Sequence, residues 1–300
     1  MNTYYANAKI NIGLDVTGTR ADGYHLLDTI MQEISIADRL EFARIESGIK
    51  IECTDSSVPL GEDNLISRAI RLLGVDGVYV SLEKNIPMQA GLGGGSSDAA
   101  ATLKAVNEIF ELGKSNEELK AFAVRLGADV PFFIEGGSAR CRGIGDEIEI
   151  LKGFKNGPLL KNRVIMISKP TADASTQSIY KKYDALDQSK IIHPDIDKLI
   201  EGDLGQVINV LEYVTGPLNP SIAQTEELMK AAGAIASCMT GSGTAVFGIY
   251  SDSVFDDAMR LSGMQIPMRR PMNRPQQSGS MRVAALSKLQ DMGGKICRVI

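Results

Sequence analysis

The 300-residue chain is poor in three things that would each direct its reading: paired cysteines, surplus positive charge and long apolar runs. Its four cysteines, Cys53, Cys141, Cys238 and Cys297, lie far apart, so no CxxC pair marks a zinc site or a thioredoxin-type redox centre. They read as buried thiols in a reducing compartment. Thirty-two Lys and Arg against 37 Asp and Glu leave a formal net charge of −5, and aromatic residues make up only 5%. That balance excludes wholesale nucleic-acid binding but leaves room for a local cationic pocket for a phosphorylated small molecule. No apolar stretch approaches the roughly 20 residues that a membrane helix needs. The N-terminus has no basic segment leading into an apolar run, so no signal peptide is visible. A cytoplasmic protein with neither nucleic acid nor membrane as partner is expected.

What is present is ordinary globular usage, 44% hydrophobic and 23% charged, which excludes a largely disordered chain. The length suggests two domains at about 150 residues each, with a core large enough to need no staples. From Tyr4 to Val16 apolar residues alternate (Ala8, Ile10, Ile12, Leu14, Val16), so the stretch reads as a strand with Lys9 and Asn11 sharing its other face. Asp22-Gly23 marks a turn. Leu40 to Cys53 reads as a hairpin around Ser47-Gly48, Asn64 to Leu73 as a helix stopped by Gly74, and Val78 to Leu82 as a strand ending before Pro87. A helix is expected from about Ser97. Another follows Ser115 and Glu118, a capping box, with Gly127 ending it and Asp129 in the loop beyond. The patternless span Gly153–Arg163 separates an N-terminal domain, 1–155, from a C-terminal one, 156–300. The second half shows a strand at Val164–Ile167, a helix from about Ser175, and a helix capped by Asn219 with Pro220 in its first turn. Apolar Ala245–Tyr250 follows a glycine turn. Met259 to Arg282, rich in Arg, Met, Pro and Gln, reads as an irregular insertion before a helix-like Val283–Met292 and a terminal strand Ile296–Ile300. The mixture favours an α+β fold.

The strongest local signal runs Pro87-Met-Gln-Ala90-Gly91-Leu92-Gly93-Gly94-Gly95-Ser96-Ser97-Asp98. Glycines let successive backbone N–H groups turn toward one point. The helix that follows adds free N–H groups and the positive end of its dipole, so strand, loop and helix start together make a phosphate cradle. No Lys follows the glycines in the Walker manner, and the sixth position from Gly91 is Ser96, which breaks the dinucleotide fingerprint.

The run resembles the signature loop of the GHMP kinases, small-molecule kinases that include galactokinase, homoserine kinase and mevalonate kinase. Four other blocks resemble the family in the same order: Ala8-Lys9-Ile10-Asn11, Asp22-Gly23-Tyr24-His25, Asp63-Asn64-Leu65 and Gly127-Ala128-Asp129-Val130-Pro131-Phe132-Phe133. The resemblance implies a two-domain fold with the active site in the cleft between domains. It also implies ATP as phosphoryl donor, with Mg2+ following from ATP chemistry and its ligands unknown. The triple glycine together with these four blocks narrows the likeness to members whose substrate is a methylerythritol carrying a cytidine diphosphate group, phosphorylated on its 2-hydroxyl in the non-mevalonate isoprenoid route. Lys9 and Asp129 match the catalytic pair. The nucleotide would be held by Pro87, Ala90, Gly91, Leu92, Gly93, Gly94, Gly95, Ser96 and Ser97, with Asn64, Leu65 and Lys84 near adenine. Asn11, Tyr24, His25, Asp98, Tyr180, Gly241, Ser242 and Gly243 fall to the cytidylyl substrate. Two departures stand out: Thr244 where the family usually has Pro after Gly-Ser-Gly, and the Met259–Arg282 insertion.

Phosphoryl transfer to an alcohol needs a carboxylate to accept the hydroxyl proton and cations to neutralise the transferring group. Asp129, followed by apolar Val130 to Phe133, suits the first task, and Lys9 the second. Direct in-line transfer is expected, because nothing suggests a phosphoenzyme nucleophile. Taken without the resemblance, Asp129 reads as a loop cap, Lys9 as a solvated strand lysine, Asp98 as a helix cap, Leu65 as core and His193 as a partnerless surface residue. Mevalonate, phosphomevalonate and homoserine remain alternative substrates, and a nucleotide-binding regulatory protein without turnover an alternative class.

Overall fold

The computed structural model describes residues 1–157, 159–170, 175–252 and 279–300. Two antiparallel-rich sheets pack face to face, each with helices on its outer side. The first contains β1 (Asn2–Thr19), β2 (His25–Arg44), β3 (Ile49–Cys53), β4 (Val78–Glu83), β5 (Ser138–Arg142) and β6 (Glu147–Ile150). Their order is β3-β4-β2-β5-β6, with β1 running antiparallel along β2. Helices α1 (Leu65–Leu72), α2 (Gly94–Ile109), α3 (Asn116–Val124) and α4 (Val130–Glu135) belong to this half. The second sheet is β10-β7-β9-β8, from β7 (Arg163–Ser168), β8 (Ala236–Met239), β9 (Val246–Ser251) and β10 (Lys295–Cys297). Its helices are α5 (Thr176–Tyr183), α6 (Ile196–Glu201), α7 (Glu212–Leu218), α8 (Ser221–Ala231) and α9 (Gly279–Asp291).

Period-two alternation explains the core. Ala8, Ile10 and Ile12 of β1 and Ile30 and Ile34 of β2 meet Ile165, Ile167, Phe247 and Ile249 of the second sheet in one shared cluster. Met31, one residue out of phase, instead faces Ala99, Leu103, Phe132 and Phe133 on the helical side. Burying both faces of β1 forces Lys9 and Asn11, at 3% and 1% exposure, into the interior rather than into solvent. The outer edge of β1 is covered as well: Lys9 N–H donates to Leu92 O, and Leu14 exchanges backbone bonds with Ile208 and Val210.

Several local expectations are met for the reasons given. Asn64 caps α1 by accepting from the Ile66 N–H, and Ser115 and Glu118 form both halves of their capping box at α3. Gly23 turns the β1–β2 hairpin at φ +87°. Others are corrected. Leu40–Cys53 is not a hairpin: β4 lies between β2 and β3, antiparallel to the first and parallel to the second. The Ser47-Gly48 turn is real, but Gly48 N–H is held by Asp76, and β3 pairs with a strand beyond α1. The helix expected from Ser97 starts three residues sooner, so Gly94, Gly95 and Ser96 form its first turn. Asn219 ends α7 rather than opening α8, whose N-cap is Pro220. His193 has a partner, Asp15, 2.6 Å away. Residues 259–278 of the Met259–Arg282 segment lie outside the described residues; from Gly279 the chain is helical, earlier than the expected Val283. The terminal strand is three residues, Lys295–Cys297.

Candidate active site

The glycine loop is anchored by its apolar residues and shaped by its glycines. Ala90 and Leu92 are buried in the shared core at 2% and 1% exposure, while Gly91 and Gly93 adopt φ +73° and +72°. Gly93 is the N-cap of the 16-residue α2, and no side chain caps that end. The first-turn N–H groups therefore remain available at the positive end of the helix dipole. Gly95 is exposed and Ser96 half-buried, whereas Ser97 is buried and donates its hydroxyl to the Asn7 carbonyl at 2.6 Å. Of the two hydroxyls, Ser96 is the one presented outward. Leu65 packs beside this turn, with Cδ1 3.6 Å from where a Gly95 Cβ would sit. Asn64 is engaged by its capping bond and by donation to Pro59 O at 2.7 Å.

Across the loop stands the second glycine turn. Ala245 N–H donates to Ala90 O at 3.1 Å, and a Cβ on Gly91 would collide with the Thr240 carbonyl. A Gly241 Cβ would lie 3.1 Å from Gly91 O, so the two turns pack backbone to backbone. Glycine is required because only bare backbone fits the gap. Ser242 Oγ lies 2.8 Å from Thr176 Oγ1 at the start of α5. Thr240 Oγ1 accepts the Asn11 N–H at 2.8 Å, which ties this turn to β1. Thr244 is fully buried, and Thr240 N–H donates to Ala245 O across the turn.

Lys9 and Asp129 meet where loop and strand converge. Lys9 Nζ donates to Asn11 Oδ1 at 2.6 Å and lies 3.6 Å from Asp129 Oδ2. Asp129 occupies the N-cap position of α4, yet its side chain makes no cap hydrogen bond and is 33% exposed. The carboxylate thus faces the lysine and solvent instead of serving its own helix. Phe133 of α4 closes the floor: a Gly93 Cβ would come 2.8 Å from its Cζ and 3.2 Å from Lys9 Cγ. Asn11 has both amide atoms engaged within the protein, Oδ1 with Lys9 and Nδ2 with Thr29 Oγ1 at 2.9 Å.

Lys84 and Asp98, expected near nucleotide and substrate, are brought together below the loop. Lys84 Nζ pairs with Asp38 and, at 2.8 Å, with Asp98, all three side chains being at most 6% exposed. Asp38 also accepts the N–H groups of Asn85 and Ile86. Asp98 Oδ1 has no partner. Burial, outweighing the attraction of Lys84 and aided by Asp38, pushes Asp98 up to about 7. Burial draws Lys84 down, but the two carboxylates more than offset it and its value is raised. One ammonium faces two carboxylates, of which Asp38 is the better hydrogen-bonded. This triad fastens β2, the end of β4 and α2 beneath the cradle.

At the hairpin end, Tyr24 is 59% exposed with the Arg20 guanidinium 5.5 Å from its ring centre. His25 stacks on Tyr180, with centroids 4.7 Å apart and planes 27° from parallel, and its Nε2 lies 2.6 Å from Asp184 Oδ1. Burial and then the Asp129 carboxylate raise the Tyr180 phenol. Tyr180 therefore faces His25, not Tyr24. Sequence reasoning missed Thr29, Thr240, Asp38 and Asp184, none of which lies in a motif. The four cysteines are free thiols, three buried and Cys53 half-buried. Among the described residues no group of three or more His, Cys, Asp and Glu could hold a metal, and no helix is long and apolar enough to cross a membrane.

The family model described as "GHMP kinases N terminal domain" matches residues 64–137, and "GHMP kinases C terminal" matches 192–260. The chain is 42% identical over 261 residues to 4-diphosphocytidyl-2-C-methyl-D-erythritol kinase of Clostridium beijerinckii, covering 82% of this chain and 90% of that one. The enzyme of that name from Thermoanaerobacter pseudethanolicus is 43% identical over 259 residues, 82% and 86% of the two chains. A crystal structure of 4-(cytidine 5'-diphospho)-2C-methyl-D-erythritol kinase superposes with a TM-score of 0.76 over 99% of both chains at 29% identity. The Methanococcus jannaschii mevalonate kinase has a TM-score of 0.67 over 100% and 98% at 14% identity, a likeness of fold alone. The chain belongs to the 4-diphosphocytidyl-2-C-methyl-D-erythritol kinase family of the GHMP kinases.

Proposed function

We infer that the protein is a cytoplasmic kinase that transfers the γ-phosphate of ATP to the 2-hydroxyl of 4-diphosphocytidyl-2-C-methyl-D-erythritol, a step of the non-mevalonate isoprenoid route. The observation that carries the reading is the Lys9–Asp129 pair at 3.6 Å beside an uncapped glycine-rich helix start. Phosphate oxygens suit the free N–H groups of that first turn. Asp129 takes the proton as the hydroxyl oxygen bonds to phosphorus, the bond from phosphorus to the bridging oxygen breaks, and ADP departs. Lys9 neutralises charge gathering between acceptor and phosphoryl group. Magnesium, when bound, would neutralise phosphate charge, with phosphates as its main ligands and Ser96 the hydroxyl presented at the cradle.

The cytidine end falls to the hairpin. Exposed Tyr24 offers a stacking face, and Asp184 engages His25 Nε2, so the Nδ1 side is the one turned to a base edge. Asn11 serves this site by holding Lys9. Residues 1–155 and 156–300 form the two domains, the second contributing Gly241, Ser242 and Gly243 as the wall opposite the cradle. Asp129→Asn should keep ATP binding within about twofold, while turnover falls by roughly 10²–10⁴ for loss of the base. Unchanged turnover would remove Asp129 from the chemistry.

A further inference from the structure

Behind Lys9 lies a chain of hydrogen bonds with a single consistent direction. Lys9 Nζ can only donate, so the Asn11 atom facing it at 2.6 Å must be the acceptor Oδ1. The Asn11 amide nitrogen then points to Thr29 Oγ1 at 2.9 Å and must donate there. The Thr29 hydroxyl has already given its proton to the Gly13 carbonyl at 2.6 Å, so toward Asn11 it can only accept. Each polar group has one role, and reversing any member would set donor against donor.

The backbone supports this arrangement. β1 and β2 shift register between Asn11 and Gly13, where Ile12 is left without an opposite residue. A bulge of this kind re-aims neighbouring groups, and the Gly13 carbonyl meets a side-chain donor from the facing strand. Thr29, Asn11 and Lys9 are 0%, 1% and 3% exposed, so water does not compete for these bonds.

We propose that Thr29 is a positioning residue for the phosphoryl-transfer site, fixing the Asn11 amide so that its oxygen holds the Lys9 ammonium beside Asp129. The inference rests on the catalytic reading of Lys9 and Asp129 above. Without the hydroxyl the Asn11 NH2 is left buried and without its acceptor. The amide then shifts to relieve that loss, and its oxygen no longer holds the Lys9 ammonium at the same point beside Asp129.

The test is a double-mutant cycle on the full chain, with kcat, both KM values and Tm measured for each protein. Thr29→Val, close to isosteric, should lower kcat about tenfold, the worth of one hydrogen bond in a charged network, with each KM within twofold. Thr29→Ser should recover kcat to within twofold. In an Asn11→Ala background Thr29→Val should cost nothing further, because the group it acts through is gone. Should Thr29→Val fold poorly, Thr29→Ala takes its place in the cycle. Full turnover in the folded hydroxyl-less variant would overturn the proposal, as would the same tenfold loss with Asn11 already absent. Asp129→Asn, run alongside, separates the two readings. If it keeps turnover, the underlying catalytic assignment fails. If it abolishes turnover while Thr29→Val is inert, only the positioning role falls.

Discussion

Replacing Gly93 with alanine challenges the glycine turn and Lys9 together. Gly93 sits at φ +72°, where an L-residue costs about 1–2 kcal/mol. The new Cβ would lie 2.8 Å from Phe133 Cζ and 3.2 Å from Lys9 Cγ, against roughly 3.5–4.0 Å for relaxed carbon contacts. Something must therefore move by about half an ångström to one ångström. Phe133 cannot simply swing aside, since it is 6% exposed and packed among Met31, Val130 and Phe132. Overpacking of this kind adds about 1–3 kcal/mol, giving a total near 2–5 kcal/mol. At roughly 2 °C per kcal/mol for a chain of this size, Tm should fall by about 4–10 °C. Displacing Lys9 and the anion-binding turn together should lower kcat/KM by about a hundredfold. Differential scanning fluorimetry and a coupled ADP assay on one preparation read both quantities. A Tm within 1 °C of the parent and kcat/KM within about twofold would refute the packing argument.

Two further outcomes follow from the same structure. Burial and the adjoining Glu212 push Glu226 up to about 8, so the folded chain keeps a proton there that the unfolded chain releases near 4.5. Its contribution is full at low pH and is lost as pH rises through 8. Glu226→Gln should therefore gain Tm over the parent progressively from about pH 4.5 to 8 and level off above that, and a difference flat with pH across that window would contradict the burial argument. Tyr24→Ala removes a ring that is 59% exposed, so Tm should hold. KM for the cytidylyl substrate should rise about tenfold from lost base stacking, with KM for ATP nearly unchanged; equal rises in both would sink the stacking role.

The parts of the site visible from sequence were those whose geometry is local. Alternation in β1 put Lys9 and Asn11 on one face, a two-residue inference that burial of the strand could not alter. Asn64 and the Ser115–Glu118 box announced helix starts because a cap acts within three residues. The glycine run announced a cradle for the same reason, although reading glycine as loop moved the start of α2 too far along. Long-range pairing was illegible. No local signal says that β4 enters between β2 and β3, that Asp38 reaches Lys84 across 46 residues, or that His193 finds Asp15 across 178. α7 carries no local signal, because Gly216 and Pro217 are poor helix formers and yet both lie within it. Lys84 and Asp98 could not be paired from sequence: motif position suggested ligand contact, and the fold buries the two charges against each other.

The central claim is that Lys9, Asp129 and the glycine cradle phosphorylate a cytidine-bearing alcohol. The most direct measurement is ADP release from MgATP with 4-diphosphocytidyl-2-C-methyl-D-erythritol, mevalonate or homoserine as acceptor. Turnover is expected with the first alone, inhibited by CMP or CDP in competition with that substrate. Turnover with mevalonate or homoserine, or no turnover with any acceptor in protein that still binds ATP, would contradict it.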